Sequence, residues 1–301
     1  LGVSASCEAG RTACAGKGDN VKTGEKKSIG YPLITSRKNP LVRSAALLGS
    51  SAAARRESRA FLCEGARLCE DAARSGLAIA TCFFTAGAWE KYGPYLAEVL
   101  AACGEAYQVE EHVAALLSGT KNSQGVFCVC KWPDTLQEDV IGFAPARSCL
   151  VLEDLQDPGN LGTILRTAEA LGIGLVFLLG DCCDPLSPKA LRASMGAVFR
   201  AGLIREPSPQ RLAELLKRQG YTLHAAVPDN GSRKITEVDF GEGSHAVFIG
   251  NEGNGLRPET CGFCHDAVTI PMAGRAESLN AAAAATILLW EMRRGTEKKE
   301  G

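Results

Sequence analysis

The sequence predicts an α/β protein in which a parallel sheet, covered on both faces, follows a smaller αβ domain. Three observations carry this expectation. The second half of the chain holds five apolar runs of strand length, at 148–152, 175–179, 222–227, 245–250 and 268–272, interspersed with helical patterns at 161–171, 209–219 and 279–293. Strands buried on both faces read as continuous apolar runs, whereas one-sided strands alternate. The first half has a different rhythm, and 301 residues suit two domains at roughly 150 residues each.

Taken in order, residues 1–30 are rich in Gly, Ser, Ala and Lys without periodicity and are expected to form a disordered lead. A near-match to a phosphate loop ends at Gly16-Lys17, but it is one residue too long from Gly10, and Gly18 stands where Ser or Thr is needed. The smaller domain, 31–132, carries helical patterns at 39–48 and 55–75 and strand-like runs at 78–85 and 125–131. Residues 133–147, with Pro133 and Pro145, read as a linker. The main α/β domain is expected over 148–296, with a tail at 297–301.

Composition narrows the function classes. Apolar residues make up 46% and charged residues 22%, as in an ordinary globular protein. No apolar run approaches the roughly 18 residues of a membrane helix, so no membrane partner is expected. A net charge of −1 gives no overall field to attract a polyanion, so any basic surface must be local. Residues 34–74 supply one: Arg37, Lys38, Arg43, Arg55, Arg56, Arg59, Arg67 and Arg74 stand against four acids.

The 13 cysteines are scattered, some in apolar runs such as Cys128-Val129-Cys130, and read as reduced, buried thiols of a cytoplasmic protein. Cys261 to His265 matches a haem-attachment pattern, but that chemistry needs an exported chain and the N-terminus has no signal-peptide core. The histidines His112, His224, His245 and His265 are dispersed, and no metal is expected.

A parallel sheet of this kind binds ligands beyond the carboxyl ends of its strands. Polar, Gly-rich junctions fall there: Asp157-Pro158-Gly159-Asn160-Leu161-Gly162 leading into a helix with Arg166, then Gly250 to Gly255, then Pro271 to Gly274 followed by Glu277-Ser278-Leu279-Asn280. Each has a plain structural reading: Asn160 or Ser278 as a helix cap, the glycines as turn residues, Gly162 as room above the Arg166 guanidinium. Turns, however, need no Asn-Glu or Ser-Leu-Asn specifically. A nicotinamide enzyme should show Gly-x-Gly-x-x-Gly after its first strand, and Asp157 to Asn160 is not that turn.

LVLEDLQDPGNLGTILRTAEALG, HAVFIGNEGNGL and VTIPMAGRAESLNAAAAATILLWE resemble, in order and separation, the three motifs of the SpoU (TrmH-type) RNA ribose 2′-O-methyltransferases of the SPOUT superfamily. The resemblance covers 148–296, with RASMGAVFR at 192–200 also similar. The first domain, from ITSRKNPLVRSAALL to GTKNSQGVFCV, resembles the family's appended RNA-binding domain. The resemblance implies a C-terminal trefoil knot, a homodimer, and S-adenosyl-L-methionine as methyl donor without a metal. It implies cofactor contacts at Leu179, Gly180, Ile249, Gly250, Asn251, Ile270, Met272, Ser278 and Leu279, and a catalytic group of Asn160, Arg166, Glu252 and Asn280.

Calling Arg166 a base conflicts with a guanidinium pKa above about 12. Arg166 is therefore expected to grip an RNA phosphate and polarise the 2′-oxygen, oriented by Glu252, while the proton leaves to a phosphate oxygen or water. Structured RNA is the expected partner, large-subunit ribosomal RNA before transfer RNA, and not DNA. Arg37, Lys38, Arg43, Arg55 and Arg56 are expected to meet phosphates. The rival is a non-catalytic RNA-binding or ribosome-assembly factor on the same fold, which cofactor calorimetry would separate.

Overall fold

A computed structural model describes residues 30–139, 146–229 and 231–300. The expected lead at 1–29, residues 140–145 of the expected linker and residue 301 lie outside the described residues.

The first domain runs β1 (Leu33–Ile34), α1 (Pro40–Ser50), α2 (Ala52–Ser58), β2 (Ala60–Glu64), α3 (Ala66–Arg74), β3 (Ile79–Phe84), α4 (Ala86–Ala102), β4 (Cys103–Val109), α5 (Glu111–Leu117) and β5 (Val126–Lys131). Its sheet has the order β1-β4-β3-β5-β2, with β5 antiparallel to both neighbours. Asn39 caps α1 by accepting the Leu41 N–H at 2.9 Å, and Pro40 follows where a missing N–H costs nothing.

The helix expected at 55–75 is instead three elements. Arg59 adopts left-handed dihedrals (φ 46°) and ends α2, Phe61 to Cys63 bury as a strand, and Gly65 (φ 107°) opens α3. A four-residue apolar run cannot be told from a helix segment by periodicity alone, and here sheet pairing decided.

The second domain runs β6 (Leu136–Gln137), β7 (Ser148–Glu153), α6 (Pro158–Ala170), β8 (Leu175–Leu179), α7 (Pro188–Ser194), a 3₁₀ turn (Ala197–Phe199), β9 (Gly202–Glu206), α8 (Pro209–Arg218), β10 (Tyr221–Ala226), β11 (Arg233–Lys234), β12 (Ser244–Ile249), α9 (Pro258–Phe263), β13 (Asp266–Thr269) and α10 (Ala281–Glu300). The eight strands lie in the order β11-β13-β10-β12-β7-β8-β9-β6, and every pair is parallel. The double cover follows from the strand period of two: Leu150, Leu152, Val176 and Val247 enter one core, and Val151, Phe177, Ala246 and Phe248 enter the other. Each such side chain contributes about 1.5–3 kcal/mol when fully buried.

Three expectations shift at the margins. The linker supplies β6, an edge strand of the main sheet paired with β9. The strand expected at 268–272 ends at Thr269, leaving Ile270 to Met272 as loop. The tail expected from 297 is the last turn of α10. In that helix Leu288, Leu289 and Met292 are core, while Ile287 and Trp290 face outward, Trp290 at 51% exposure.

The domains meet through charged side chains. Arg55 is buried, donating from Nε to Asp184 at 2.7 Å and from Nη1 to the Leu48 carbonyl at 2.6 Å. Arg200 bridges Asp71 and Glu169 at 2.8 Å each. His224 and His245 are not dispersed in space: their ring nitrogens lie 3.0 Å apart, and the other two meet Asp266 and the Glu242 carbonyl. All four nitrogens are thereby engaged within the protein. Among the described residues no group of His, Cys, Asp and Glu is placed to hold a metal, and no helix is long and apolar enough to cross a membrane.

Candidate active site

The junctions singled out in the sequence converge at the carboxyl ends of β7, β12 and β13. After β7, Asp154 takes left-handed dihedrals (φ 52°), which costs about 1–2 kcal/mol for a side-chain-bearing residue. Arg257 holds it there through a two-pronged contact, Nε to Oδ2 at 2.7 Å and Nη2 to Oδ1 at 2.8 Å. That contact lowers the Asp154 pKa despite partial burial. The Arg257 N–H and the Thr260 hydroxyl meanwhile donate to the fully buried Glu153. One arginine thus pins the segment after β12 to the end of β7.

Asp157, not Asn160, caps α6, accepting the Asn160 N–H at 2.8 Å. Lys189 pairs with the same carboxylate at 2.5 Å and lowers its pKa. The Asn160 side chain is left for the site. Its amide donates to Glu252 at 3.0 Å, and its oxygen accepts from the Asn280 amide at 3.1 Å. Asn280 also caps α10 through the Ala282 N–H at 2.9 Å, the role expected of Ser278. A chain of hydrogen bonds, Asn280 to Asn160 to Glu252, therefore ties together three segments as much as 120 residues apart in sequence.

Glu252 accepts two further bonds, from the Asp157 and Gln156 N–H groups at 3.0 and 3.2 Å. Burial works to raise its pKa, but the Asn160 and backbone hydrogen bonds outweigh it and hold the carboxyl below its ordinary range. The expected pairing of Glu252 with Arg166 is absent, because those three donors already take its oxygens. Arg166 stands exposed on α6 and makes no hydrogen bond or ion pair among the described residues.

Gly162 does not make room for Arg166. A side chain there would stand 2.6 Å from Ala193 Cβ, so its absence lets α6 pack on α7.

Beside this hydrogen-bonded chain lies a cavity of about 410 Å³. Ile249, Gly250, Asn251, Glu252, Ile270, Met272, Ser278 and Leu279 all line it. Gly250 is required there, since a Cβ would collide with the backbone of Gly255 and Leu256. Asn251 folds the loop back, its oxygen accepting the Gly253 and Asn254 N–H groups and its amide donating to the Asp154 carbonyl at 2.8 Å.

Leu179 and Gly180 do not line it. They end β8, which lies on the far side of β7 from β12, and their backbone bonds Asp154 and Glu206. Ala226, Val227 and Pro228, after β10, take the place expected of them. The signal was present: Pro228-Asp229-Asn230-Gly231 follows an apolar strand run, the same kind of junction as the others.

A family model described as SpoU rRNA Methylase matches residues 147–290, and one described as MRM3-like substrate binding domain matches residues 39–128. An uncharacterized tRNA/rRNA methyltransferase of Synechocystis is 39% identical over 277 residues, covering 88% of this chain and 96% of its own. The chain belongs to the SpoU rRNA methylase family. Its SpoU relatives include the 23S rRNA (guanosine(2553)-2′-O)-methyltransferase RlmP of Bacillus subtilis, 33% identical over 63% of this chain and 73% of its own. An AdoMet-bound rRNA methyltransferase of Sinorhizobium meliloti superposes with a TM-score of 0.77 at 30% identity, over 88% of this chain and 98% of that one.

Proposed function

We propose that the chain transfers a methyl group from S-adenosyl-L-methionine to the ribose 2′-oxygen of a nucleotide in large-subunit ribosomal RNA. The observation that carries this reading is the hydrogen-bonded chain Asn280–Asn160–Glu252 at the edge of a cavity of about 410 Å³, together with relatives named for 23S rRNA 2′-O-methylation.

The residues present fit the cofactor. The cavity falls within the range of about 300–1,000 Å³ of small-molecule sites. Its wall sets apolar Ile249, Ile270, Met272 and Leu279 beside polar Asn251, Glu252 and Ser278, a mixture suited to a cofactor with an apolar ring face and charged ends, and Gly250 lets the loop close against Gly255 and Leu256. Ile249, Gly250, Asn251, Ile270, Met272, Ser278 and Leu279, with Ala226 to Pro228, would hold the cofactor. When bound, S-adenosyl-L-methionine supplies a methyl already activated on sulfonium.

What the chain must add is alignment, worth up to about 7–11 kcal/mol, and help with the 2′-hydroxyl proton. Glu252 is a poor base for that proton, since three donors hold it ionised. Arg166, unpaired and exposed, is placed to grip a phosphate and polarise the 2′-oxygen, and the proton leaves to a phosphate oxygen or water. Asn160 and Asn280 fix the mouth of the site.

Arg37, Lys38, Arg43 and Arg56 are exposed and would contact RNA phosphates; Arg55 is withdrawn from that role because it turns inward to Asp184. The outward Ile287 and Trp290 support a homodimer through the α10 face, and the passage of the chain around the cavity between β12 and α10 is where the trefoil knot is proposed. The free thiols, many of them buried, suit the cytoplasm or another reducing compartment.

Mapping 2′-O-methylated nucleotides in 23S rRNA from cells with and without the protein tests the reading. One site lost with the gene and restored by wild-type protein supports it. An unchanged methylation map, with no cofactor binding by calorimetry, refutes it.

A further inference from the structure

The segment Arg192 to Arg200 takes no part in the site above, yet two of its residues, Arg192 and Met195, wall a second and larger cavity of about 600 Å³ between the domains. Arg67 and Leu68 of α3, Tyr95 of α4 and Asn122 of the loop before β5 face Arg192 and Met195 at the end of α7 across it. Met195 lies on the lip, 53% exposed.

Arg192 is the informative residue. Its side chain is 38% exposed, its Nη1 is shut off from solvent and ion-paired with Glu64, and its guanidinium makes no hydrogen bond among the described residues. The Glu64 carboxylate stands 3.6 Å away, too far for a hydrogen bond. Its oxygens are already taken by the Ser118 hydroxyl at 2.6 Å, the Thr120 hydroxyl at 2.8 Å and the Gly119 N–H at 3.0 Å. Arg192 keeps guanidinium donors other than Nη1 on its partly exposed side chain, so an acceptor brought into the cavity can be bound by a charged N–H.

Charge separates the ligand classes. Glu64, Glu70 and Asp71 line the cavity against two arginines, which disfavours a phosphate. A nucleobase presents neutral acceptor and donor edges, and its faces match the Leu68, Met195 and Tyr95 surfaces. Unstacked bases in RNA are recognised in this way, by ring or guanidinium stacking together with edge hydrogen bonds.

The cavity also adjoins the helix that touches the site. Lys189, three residues before Arg192 on α7, holds Asp157, which caps the helix bearing Asn160. Residues three apart lie on one face of a helix.

We propose that this inter-domain cavity receives an unstacked base of the RNA, from a nucleotide near the methylated one, with Arg192 donating to its edge. The proposal rests on the RNA-methyltransferase reading. It gives the joint between the domains a part in substrate choice that the exposed arginines, which meet only phosphates, cannot supply.

Two variants test it in the full chain. Arg192→Gln removes the charged donor, and Leu68→Trp fills the cavity from the other domain. The probe is 23S rRNA prepared from cells lacking the protein, with filter binding, methyl-transfer kinetics, cofactor calorimetry and thermal unfolding as readouts. In both variants RNA affinity is expected to fall and KM for RNA to rise about tenfold, equivalent to about 1.4 kcal/mol. Turnover at saturating RNA and cofactor affinity should be retained, and Arg192→Lys should recover part of the loss.

Unchanged RNA affinity in Arg192→Gln overturns the proposal. So does a loss that merely tracks Tm and cofactor affinity, which marks Arg192 as a structural joint. If the wild type binds RNA but transfers no methyl, the methyltransferase reading fails, and the RNA-affinity comparison still decides the cavity.

Discussion

The cavity at the ends of β10, β12 and β13 and the cavity between the domains differ in what makes their walls. The first is built from loops whose conformations are fixed internally: Asn251 folds its own turn, Gly250 permits contact with Gly255, and Arg257 ties the segment to Glu153 and Asp154. The second is bounded by long side chains from two domains, and the partly exposed Arg192 guanidinium makes no hydrogen bond among the described residues. A wall of pinned loops is preorganised and presents one shape, whereas a wall of long side chains can adapt. That contrast fits the proposed division, with an invariant cofactor in the first and a variable RNA base in the second.

The sharpest test of that division is Arg166→Lys. If Arg166 acts only on the reacting RNA, turnover should fall by about 10²–10³, as when one donor to developing charge is lost, while cofactor affinity holds. Near-normal turnover would rule out a planar, two-pronged role.

Next in size, Gly250→Ala should weaken cofactor binding by about 10- to 100-fold, because overpacking costs about 1–3 kcal/mol. Calorimetry would show this, and RNA affinity should be unmoved. Equal losses in both would mean that the two cavities are not independent.

Arg257→Gln should raise KM for the cofactor by about tenfold, since charge-assisted hydrogen bonds are worth about 1.5–3 kcal/mol and part is recovered by solvent. It should leave kcat at saturating cofactor largely intact.

A smaller effect is expected of Arg56→Glu, a change of a few-fold in RNA affinity with a shallower salt dependence and no change in cofactor binding. Salt titration of RNA binding checks it. An unchanged slope would make the basic stretch only a solvated surface.

The smallest expected effect is that of pH on Glu252. Its folded pKa is depressed, so its contribution to stability is present above the ordinary value of about 4.3 and is lost as pH falls through the depressed one. Methyl transfer should show no inflection from this group between about pH 6 and about pH 8, and thermal stability should lose its contribution only below about pH 4. An inflection near neutrality that vanishes in Glu252→Gln would show that Glu252 is a base after all.

Much of the site was legible because its residue types were unusual for their places. Asn160, Glu252 and Asn280 stood in strand-end junctions where plain turns need none of them, and the structure brings all three into one hydrogen-bonded chain. Leu179-Gly180 falls outside the cavity because strand order across a parallel sheet is not written in local pattern. Only pairing shows that β8 lies beyond β7 while β10 flanks β12. The Glu252–Arg166 pair failed for a related reason: opposite charge suggests a partner, but backbone N–H groups brought in by folding reached Glu252 first.

By itself the sequence determined the parallel sheet, its double cover and the junctions that carry the chemistry, because strand period, apolar runs and cap residues act over a few neighbouring positions. Tertiary structure alone decided that Arg55 turns inward to Asp184, that Asp154 is held left-handed by Arg257, and that a cavity opens between Tyr95 and Arg192. Those outcomes depend on which distant groups arrive within hydrogen-bond reach, and that is fixed only when the sheet is assembled and the two domains close on one another.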